Sequence, residues 1–234
     1  MKNLDILKNF IENNLHINVD DDTLNKFNIH YDLLLEWNEK FNLTTILEEN
    51  DVLYKHFIDS LYVMNFVDFS HKHLLDIGSG AGFPALPLAI LNKQLKIDLY
   101  ESNAKKVSFL NEVKNKLSLD NVSIFNKRAE ENKNREYYDF ASARAVVELN
   151  ILLELTIPFL KVNGALLAYK KYDVEEEIAR AKSSLKTLDC SLESVNKFVL
   201  PNNIDKRAIL LIKKNKKSKN KYPRNYSLIV KNPL

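Results

Sequence analysis

The spacing of hydrophobic positions changes once along the chain, near residue 70. Before that point apolar residues recur every three to four positions. Leu4, Ile6, Leu7, Phe10 and Ile11 form one stripe, and Leu24, Phe27, Tyr31, Leu34, Leu35 and Trp37 a second. Val52, Leu53, Phe57, Ile58, Leu61, Tyr62 and Met64 form a third. Such spacing lays side chains along one helix face, so residues 1–70 are expected to be helical. Asp20 to Asp22 and Asn50-Asp51 are suitable helix starts, because Asn and acids cap and complement helix N-termini. Beyond residue 70 short apolar runs alternate with amphipathic segments. Strands are expected at Leu74–Ile77, Leu95–Tyr100, Val122–Phe125, Tyr137–Ala141 and Ala165–Tyr169. Helices are expected after Pro84, from Lys105 to Leu117, from Leu149 to Leu160 and from Val174 to Leu188. Asn163-Gly164 reads as a turn. Two last strands, Val195–Leu200 and Ala208–Ile212, are joined by Pro201-Asn202-Asn203, which is short enough for an antiparallel hairpin.

Repeated strand–helix alternation implies a mostly parallel sheet with helices on both faces. The fold class expected is therefore α/β and Rossmann-like, with an antiparallel C-terminal hairpin at the sheet edge. An N-terminal helical cap (1–70) precedes the core (71–234). Ligands of such sheets bind at the carboxyl ends of the strands, where strand order reverses.

One stretch there carries chemistry. Asp76-Ile77-Gly78-Ser79-Gly80-Ala81-Gly82-Phe83-Pro84 follows the first strand and holds three of the four glycines in the chain. Glycine accepts positive φ and lets a ligand approach bare backbone. Glu101, at the end of the next strand, lies about 20 residues on, where nucleoside-binding folds place a carboxylate on ribose hydroxyls. Arg128-Ala129-Glu130 and Arg144 end the third and fourth strands. A dinucleotide fingerprint fits poorly. From Gly78 the sixth position is Phe83, and from Gly80 the turn runs on through Pro84 before the helix begins. Trp37 reads as core and His56 as a satisfied helix histidine. No second ligand at helical spacing accompanies His56, so no metal is expected.

Composition narrows the class without choosing a function. Hydrophobic residues make up 45% of the 234, charged residues 28%, and the formal net charge is +3. The single cysteine, Cys190, excludes an internal disulfide and a cysteine metal cluster. Nothing in the first residues resembles a secretory signal, and no apolar run nears the ~20 residues of a membrane span. A cytoplasmic protein is expected. Between Lys206 and Arg224 the chain carries nine lysines and arginines with no acidic residue among them. This run is either a solvated face or a contact for phosphates.

The glycine run resembles the first motif of class I S-adenosylmethionine-dependent methyltransferases. Over nearly its whole length the chain resembles the RsmG (GidB) family of bacterial 16S rRNA guanine-N7 methyltransferases. The resemblance rests on Trp37-Asn38, Asn42-Leu43-Thr44, Lys55-His56 with Asp59-Ser60, and Asp76 to Pro87. It rests further on Ser102 with Lys105-Lys106-Val107 and Phe109-Leu110, on Arg128-Ala129-Glu130, on Ser142-Ala143-Arg144 and on Tyr222-Pro223-Arg224. The chain departs from it at three places: Ala85 replaces a frequent glycine, Lys106 a frequent arginine, and Asn225-Tyr226-Ser227 a glycine-containing ending.

The resemblance implies S-adenosyl-L-methionine as cofactor, with contacts from Gly78, Gly80, Phe83, Glu101, Ala129, Glu130 and Arg144. It implies RNA contacts from Lys105, Arg128, Arg144 and Arg224. The partner implied is 16S rRNA, within the small ribosomal subunit or its precursor, with no membrane and a monomer as the default. Guanine N7 has a lone pair and no proton, so no general base is expected; positioning falls to Arg144. Two other functions fit the bare pattern: a small-molecule methyltransferase with a helical lid, and a non-catalytic nucleotide- or RNA-binding module.

Overall fold

The structure is a computed structural model and describes residues 1–234. Seven strands form one sheet: β1 (His73–Ile77), β2 (Lys96–Tyr100), β3 (Val122–Phe125), β4 (Tyr138–Arg144), β5 (Leu160–Lys171), β6 (Cys190–Val199) and β7 (Lys206–Lys214). Their order is β3-β2-β1-β4-β5-β7-β6. The first five are parallel, and β7 runs antiparallel to both β5 and β6. Strand order reverses between β1 and β4, which opens a crevice at their carboxyl ends.

Alternation along the strands divides the core in two. Leu74, Ile97 and Leu99 face one apolar cluster, while Leu75, Ile77 and Tyr100 face the other. The first cluster includes the N-terminal helices α1 (Leu4–Asn14) and α2 (Asp21–Lys40) through Leu7, Phe10, Phe27 and Leu34. α4 (Ala85–Leu91) and α5 (Ala104–Leu117) lie on this face as well. The second cluster is covered by α6 (Leu149–Thr156), by two short helices and by the C-terminal segment. The helical region is thus packed directly on the sheet.

Three expectations were refined by packing. The third apolar stripe is not one regular helix. Residues 49–65, the α3 run, pass from α-helix through a π-helical stretch at Leu53–Ile58 and finish as 3-10 helix. The expected Asn163-Gly164 turn is instead an irregularity within β5, opposite a register shift between Tyr138 and Phe140. A Cβ on Gly164 would sit 2.8 Å from the Asp139 carbonyl, so this close backbone approach requires glycine. The expected helix from Val174 to Leu188 is broken at buried Ala181 into α7 (Glu175–Arg180) and α8 (Lys182–Thr187). No helix is long and apolar enough to cross a membrane.

Most of the basic C-terminal run, from Lys213 onward, lies at the wrong end of the sheet for the crevice. β7 is antiparallel, so its first residues lie at the carboxyl ends of the parallel strands and its last residues at the opposite end. Lys214 is wholly buried there, donating to the Leu160 carbonyl at 2.8 Å and to Glu136 at 3.4 Å. Lys216 and Lys217 pair with Asp189 and Glu136. Arg135 donates to the carbonyls of Lys219 and Tyr222 and so directs the chain back along the second face. The segment ends in α9 (Tyr226–Lys231), with Ile229 buried.

That return is pinned by one ion pair. Glu154 on α6 has no exposed surface. It accepts from the Arg224 backbone N–H at 2.8 Å, from Nε at 2.8 Å and from Nη2 at 2.6 Å. Arg224→Ala would leave a buried carboxylate unpaired. A loss of about 3–5 kcal/mol is expected, measured as a lower urea midpoint. Adding Glu154→Leu to Arg224→Met should recover most of that loss.

Candidate active site

The crevice is built from the ends of β1, β2 and β3. Gly78, Gly80 and Gly82 all have positive φ, at 66°, 57° and 85°. Their turn is fixed from several directions. Gly78 N–H donates to the Tyr100 carbonyl at 2.8 Å, and Gly82 N–H to the Ser79 carbonyl at 2.7 Å. Gly80 N–H donates to Glu101 Oε2 at 3.0 Å, while Oε1 of the same carboxylate accepts from Asn103 N–H at 2.8 Å. A Cβ on Gly80 would meet nothing nearer than the Gly78 carbonyl at 3.8 Å, so this part of the turn presents open backbone. At Gly78 the side chain of Val146 lies against the turn, where a Cβ would come within 2.8 Å of it.

The donors and acceptors there suit a nucleoside carrying a charged amino acid. Each Glu101 oxygen keeps a second lone pair for a ribose hydroxyl. Asn126 holds the loop after β2 by donating to the carbonyls of Glu101 and Ser102, both at 3.0 Å. Ala129 is buried just beyond, and Glu130 Oε2 is buried with no protein partner. Asp76 sits beneath the turn. Its Oδ1 accepts from Ser142 Oγ at 2.6 Å, whereas Oδ2 is buried without a partner. Burial raises the Asp76 carboxyl to about 7, against the hydrogen bond from Ser142. The residues present thus fit S-adenosylmethionine: Glu101 has acceptor capacity for hydroxyls, and Asp76 and Glu130 hold unspent acceptors.

Beside the crevice, at the ends of β4 and β5, lies a cavity of about 680 Å³. Arg144 is its hub. Nη1 donates to the Lys55 carbonyl at 2.9 Å and to Asp59 Oδ2 at 3.0 Å, and Nη2 donates to His56 Nδ1 at 3.0 Å. The guanidinium also lies 5.2 Å from the centre of the Phe83 ring, on which His56 stacks at 4.4 Å. His56 Nδ1 also lies 3.1 Å from the Lys55 carbonyl, and Nε2 faces Thr44 Oγ1 at 3.1 Å. Thr44 is fixed in turn, since Asn38 accepts from the N–H groups of Leu43 and Thr44. The Asn38, Asn42-Leu43-Thr44 and His56 motifs are therefore one hydrogen-bonded chain ending on Arg144. The π-helical turn carries His56 into place, a common use of such turns at functional sites.

Burial, then the Arg144 charge, lowers His56 to about 3; burial lowers His30 to about 4. Both are neutral near pH 7. Burial pushes the Asp59 carboxyl up, against the guanidiniums of Arg144 and Arg207, which favour its charged form. Arg207, 3.7 Å from Asp59, and Lys171, its register partner across β5 and β7, complete the basic wall. Lys170 donates to Glu177 at 2.5 Å and to the Val147 carbonyl at 3.0 Å, which fixes the bend that sets Val146 on Gly78.

The expected cofactor residues Gly78, Gly80, Glu101, Ala129 and Glu130 thus share the crevice, while Phe83 and Arg144 stand between crevice and cavity. Lys105 begins α5 and is exposed, its amine 6.0 Å from the centre of the Phe41 ring. Arg128 is exposed after β3 and lies over Tyr226 at 5.1 Å. Arg224 is committed to Glu154, which leaves it to position the segment carrying Tyr226. Lys170, Lys171 and the pairing of Asp59 were not anticipated from the sequence, and Arg207 was anticipated only as a member of the basic C-terminal run. His56 is satisfied, as expected, and is also part of the site.

Residues 23–209 match the family described as rRNA small subunit methyltransferase G, GidB. The chain is 43% identical over 213 residues to ribosomal RNA small subunit methyltransferase G of Thermoanaerobacter pseudethanolicus, covering 89% of each. It is 42% identical over 224 residues to the protein of that name from Streptococcus agalactiae serotype V, covering 93% of this chain and 94% of the relative. Among solved structures it resembles a SAM-dependent methyltransferase from Aquifex aeolicus, with a TM-score of 0.55, 18% identity and coverage of 71% and 94%. It also resembles M. jannaschii TYW2 in complex with AdoMet, with a TM-score of 0.53, 18% identity and coverage of 67% and 74%. At these identities the structural likeness concerns the fold.

The buried titratable groups set opposing pH dependences. His30 and His56 take up protons more readily when unfolded, so their stabilisation is present above about 6.5 and is lost as pH falls toward 4 and 3. Asp76 takes up its proton first in the folded state, so it offsets part of that loss between about 7 and 4. Removing the offset with Asp76→Asn should steepen the fall in stability between pH 6 and 5 by about 1.4 kcal/mol per pH unit. Urea midpoints at the two pH values measure it.

Proposed function

The chain belongs to the rRNA small subunit methyltransferase G family, and on that premise we propose that it methylates N7 of one guanine in the decoding region of 16S rRNA. S-adenosylmethionine is its cofactor and supplies an electrophilic sulfonium methyl. The observation that carries the reading is the basic cavity opening beside the glycine turn. A flipped nucleotide needs room next to the methyl donor and cations for its phosphates, and both are in reach there.

The roles follow from the contacts. Glu101 receives the ribose hydroxyls, the Ala129–Glu130 region meets the adenine, and the open backbone at Gly78 and Gly80 admits the methionine portion. Arg207 and Lys171 hold phosphates around the target. Lys105 and Arg128 extend the RNA contact over the rim, with Tyr226 steadying Arg128. Arg224 contributes by holding that segment in place. The helical cap of residues 1–70 closes the cavity from the side of Thr44, Lys55 and His56.

Guanine N7 attacks with its lone pair and loses no proton, so no side chain need act as a base. What remains is alignment and exclusion of water. Arg144 suits alignment because its donors are fixed by three partners and its plane lies by Phe83. All these groups come from one chain, which supports action as a monomer. Its substrate, small-subunit rRNA, supports a cytoplasmic setting without a membrane.

The first test is transfer from labelled S-adenosylmethionine to small subunits, and to rRNA, from cells lacking this gene. A single 7-methylguanine in 16S rRNA is expected. No label, with cofactor binding established, would overturn the assignment. Arg144→Ala should lower kcat/KM on the active substrate about a hundredfold, in line with a lost positioning contact.

A further inference from the structure

We propose that His30 is a positioning residue for the cofactor turn. It lies on α2, outside the crevice and the cavity, and holds the tip of the turn from the cap side. The proposal rests on reading this turn as the S-adenosylmethionine site.

The turn is tied to the sheet at Gly78 and to Glu101 at Gly80. Its tip, Ala81, has its carbonyl turned to the other side, 3.3 Å from His30 Nε2. A carbonyl can only accept, so Nε2 carries the proton and Nδ1 is left with a lone pair. His30 has no exposed surface, and Nδ1 is buried with no donor near it. An orphaned buried acceptor is costly, and an apolar residue of that shape would avoid the cost. The ring persists here with one hydrogen bond, and that bond goes to the turn.

Packing fixes the ring as well. His30 stacks on Phe83 at 5.0 Å with planes 16° apart, and meets Phe57 at 5.6 Å. Phe83 is also the ring on which His56 stacks and over which Arg144 lies. One residue of the cap therefore grips the cofactor turn at its backbone and at the side chain two positions on. Loss of the Nε2–H bond would free the tip while Gly78 and Gly80 stayed tethered.

Two variants separate this role from mere filling. His30→Phe keeps a ring against Phe83 and removes the donor. His30→Gln removes the ring and keeps an N–H near the position of Nε2. The readout is calorimetric binding of S-adenosylhomocysteine, with kcat and cofactor KM on the rRNA substrate. His30→Phe should weaken binding about tenfold and raise the cofactor KM, with kcat at saturation changed much less. His30→Gln should recover most of the affinity even though it loses the stack. Equal affinity of His30→Phe and the wild type overturns the proposal. So does weakening of both variants in step with their thermal stability.

A measurement on the unaltered protein guards against variants that do not fold. The imidazole ¹⁵N shifts of His30 should show a protonated Nε2 and a bare Nδ1, unchanged from pH 8 to 6. A proton on Nδ1 would overturn the proposal. A wild type that binds no S-adenosylhomocysteine would instead overturn the cofactor reading beneath it, a result distinct from the other three.

Discussion

A half-buried guanidinium needs acceptors, and Arg144 is the place where that constraint shapes the molecule. It ends the central strand β4, yet its partners, the Lys55 carbonyl, Asp59 and His56, all belong to the helical region. The cap can lie on the sheet only in a register that supplies them. The π-helical stretch at Leu53–Ile58 is the local departure that meets this demand while Phe57 and Ile58 stay in the core. Apolar area joins cap and sheet, and the planar fork of Arg144 fixes the register in which they meet.

The same place explains how two unlike environments coexist side by side. The crevice uses backbone and carboxylates, which suit a ligand with hydroxyls and an ammonium group. The cavity uses guanidinium and lysine, which suit phosphates. Phe83 stands between them, packed by His30 and His56, and separates crevice from cavity with an apolar ring. Lys170 couples the two sides differently, since it binds Glu177 of the cavity wall and the bend that rests on Gly78.

Much of this was legible in the sequence, for identifiable reasons. Buried parallel strands are short apolar runs, so Leu74–Ile77 and Val122–Phe125 could be read directly. Gly78, Gly80 and Glu101 were legible because backbone conformation and strand-end spacing are local properties. Arg144 was legible as a strand end. Arg207 was legible only as part of a basic run and not as a wall of the cavity, because its partner Asp59 lies far away in the chain and composition does not say which end of β7 faces the crevice. That direction follows from antiparallel pairing with β5, and it also removes Lys213 to Lys217 from the site. His56 was ambiguous because a satisfied histidine and a positioning histidine have the same local sequence. The π-helical turn was invisible because it adds no residue type of its own.

The insertion of β7 between β5 and β6 bears on synthesis. β6 is made before β7 but pairs only with it, and β5 acquires its second neighbour only from β7. A nascent chain that has emerged as far as Val199 therefore carries an unpaired β6 and an open edge on β5, whose Leu166, Leu167 and Ala168 are apolar toward both faces. Arg207 arrives with the same strand that closes this edge. Sheet completion and the last basic wall of the cavity are thus a single event, and a partly made chain holds no finished cavity.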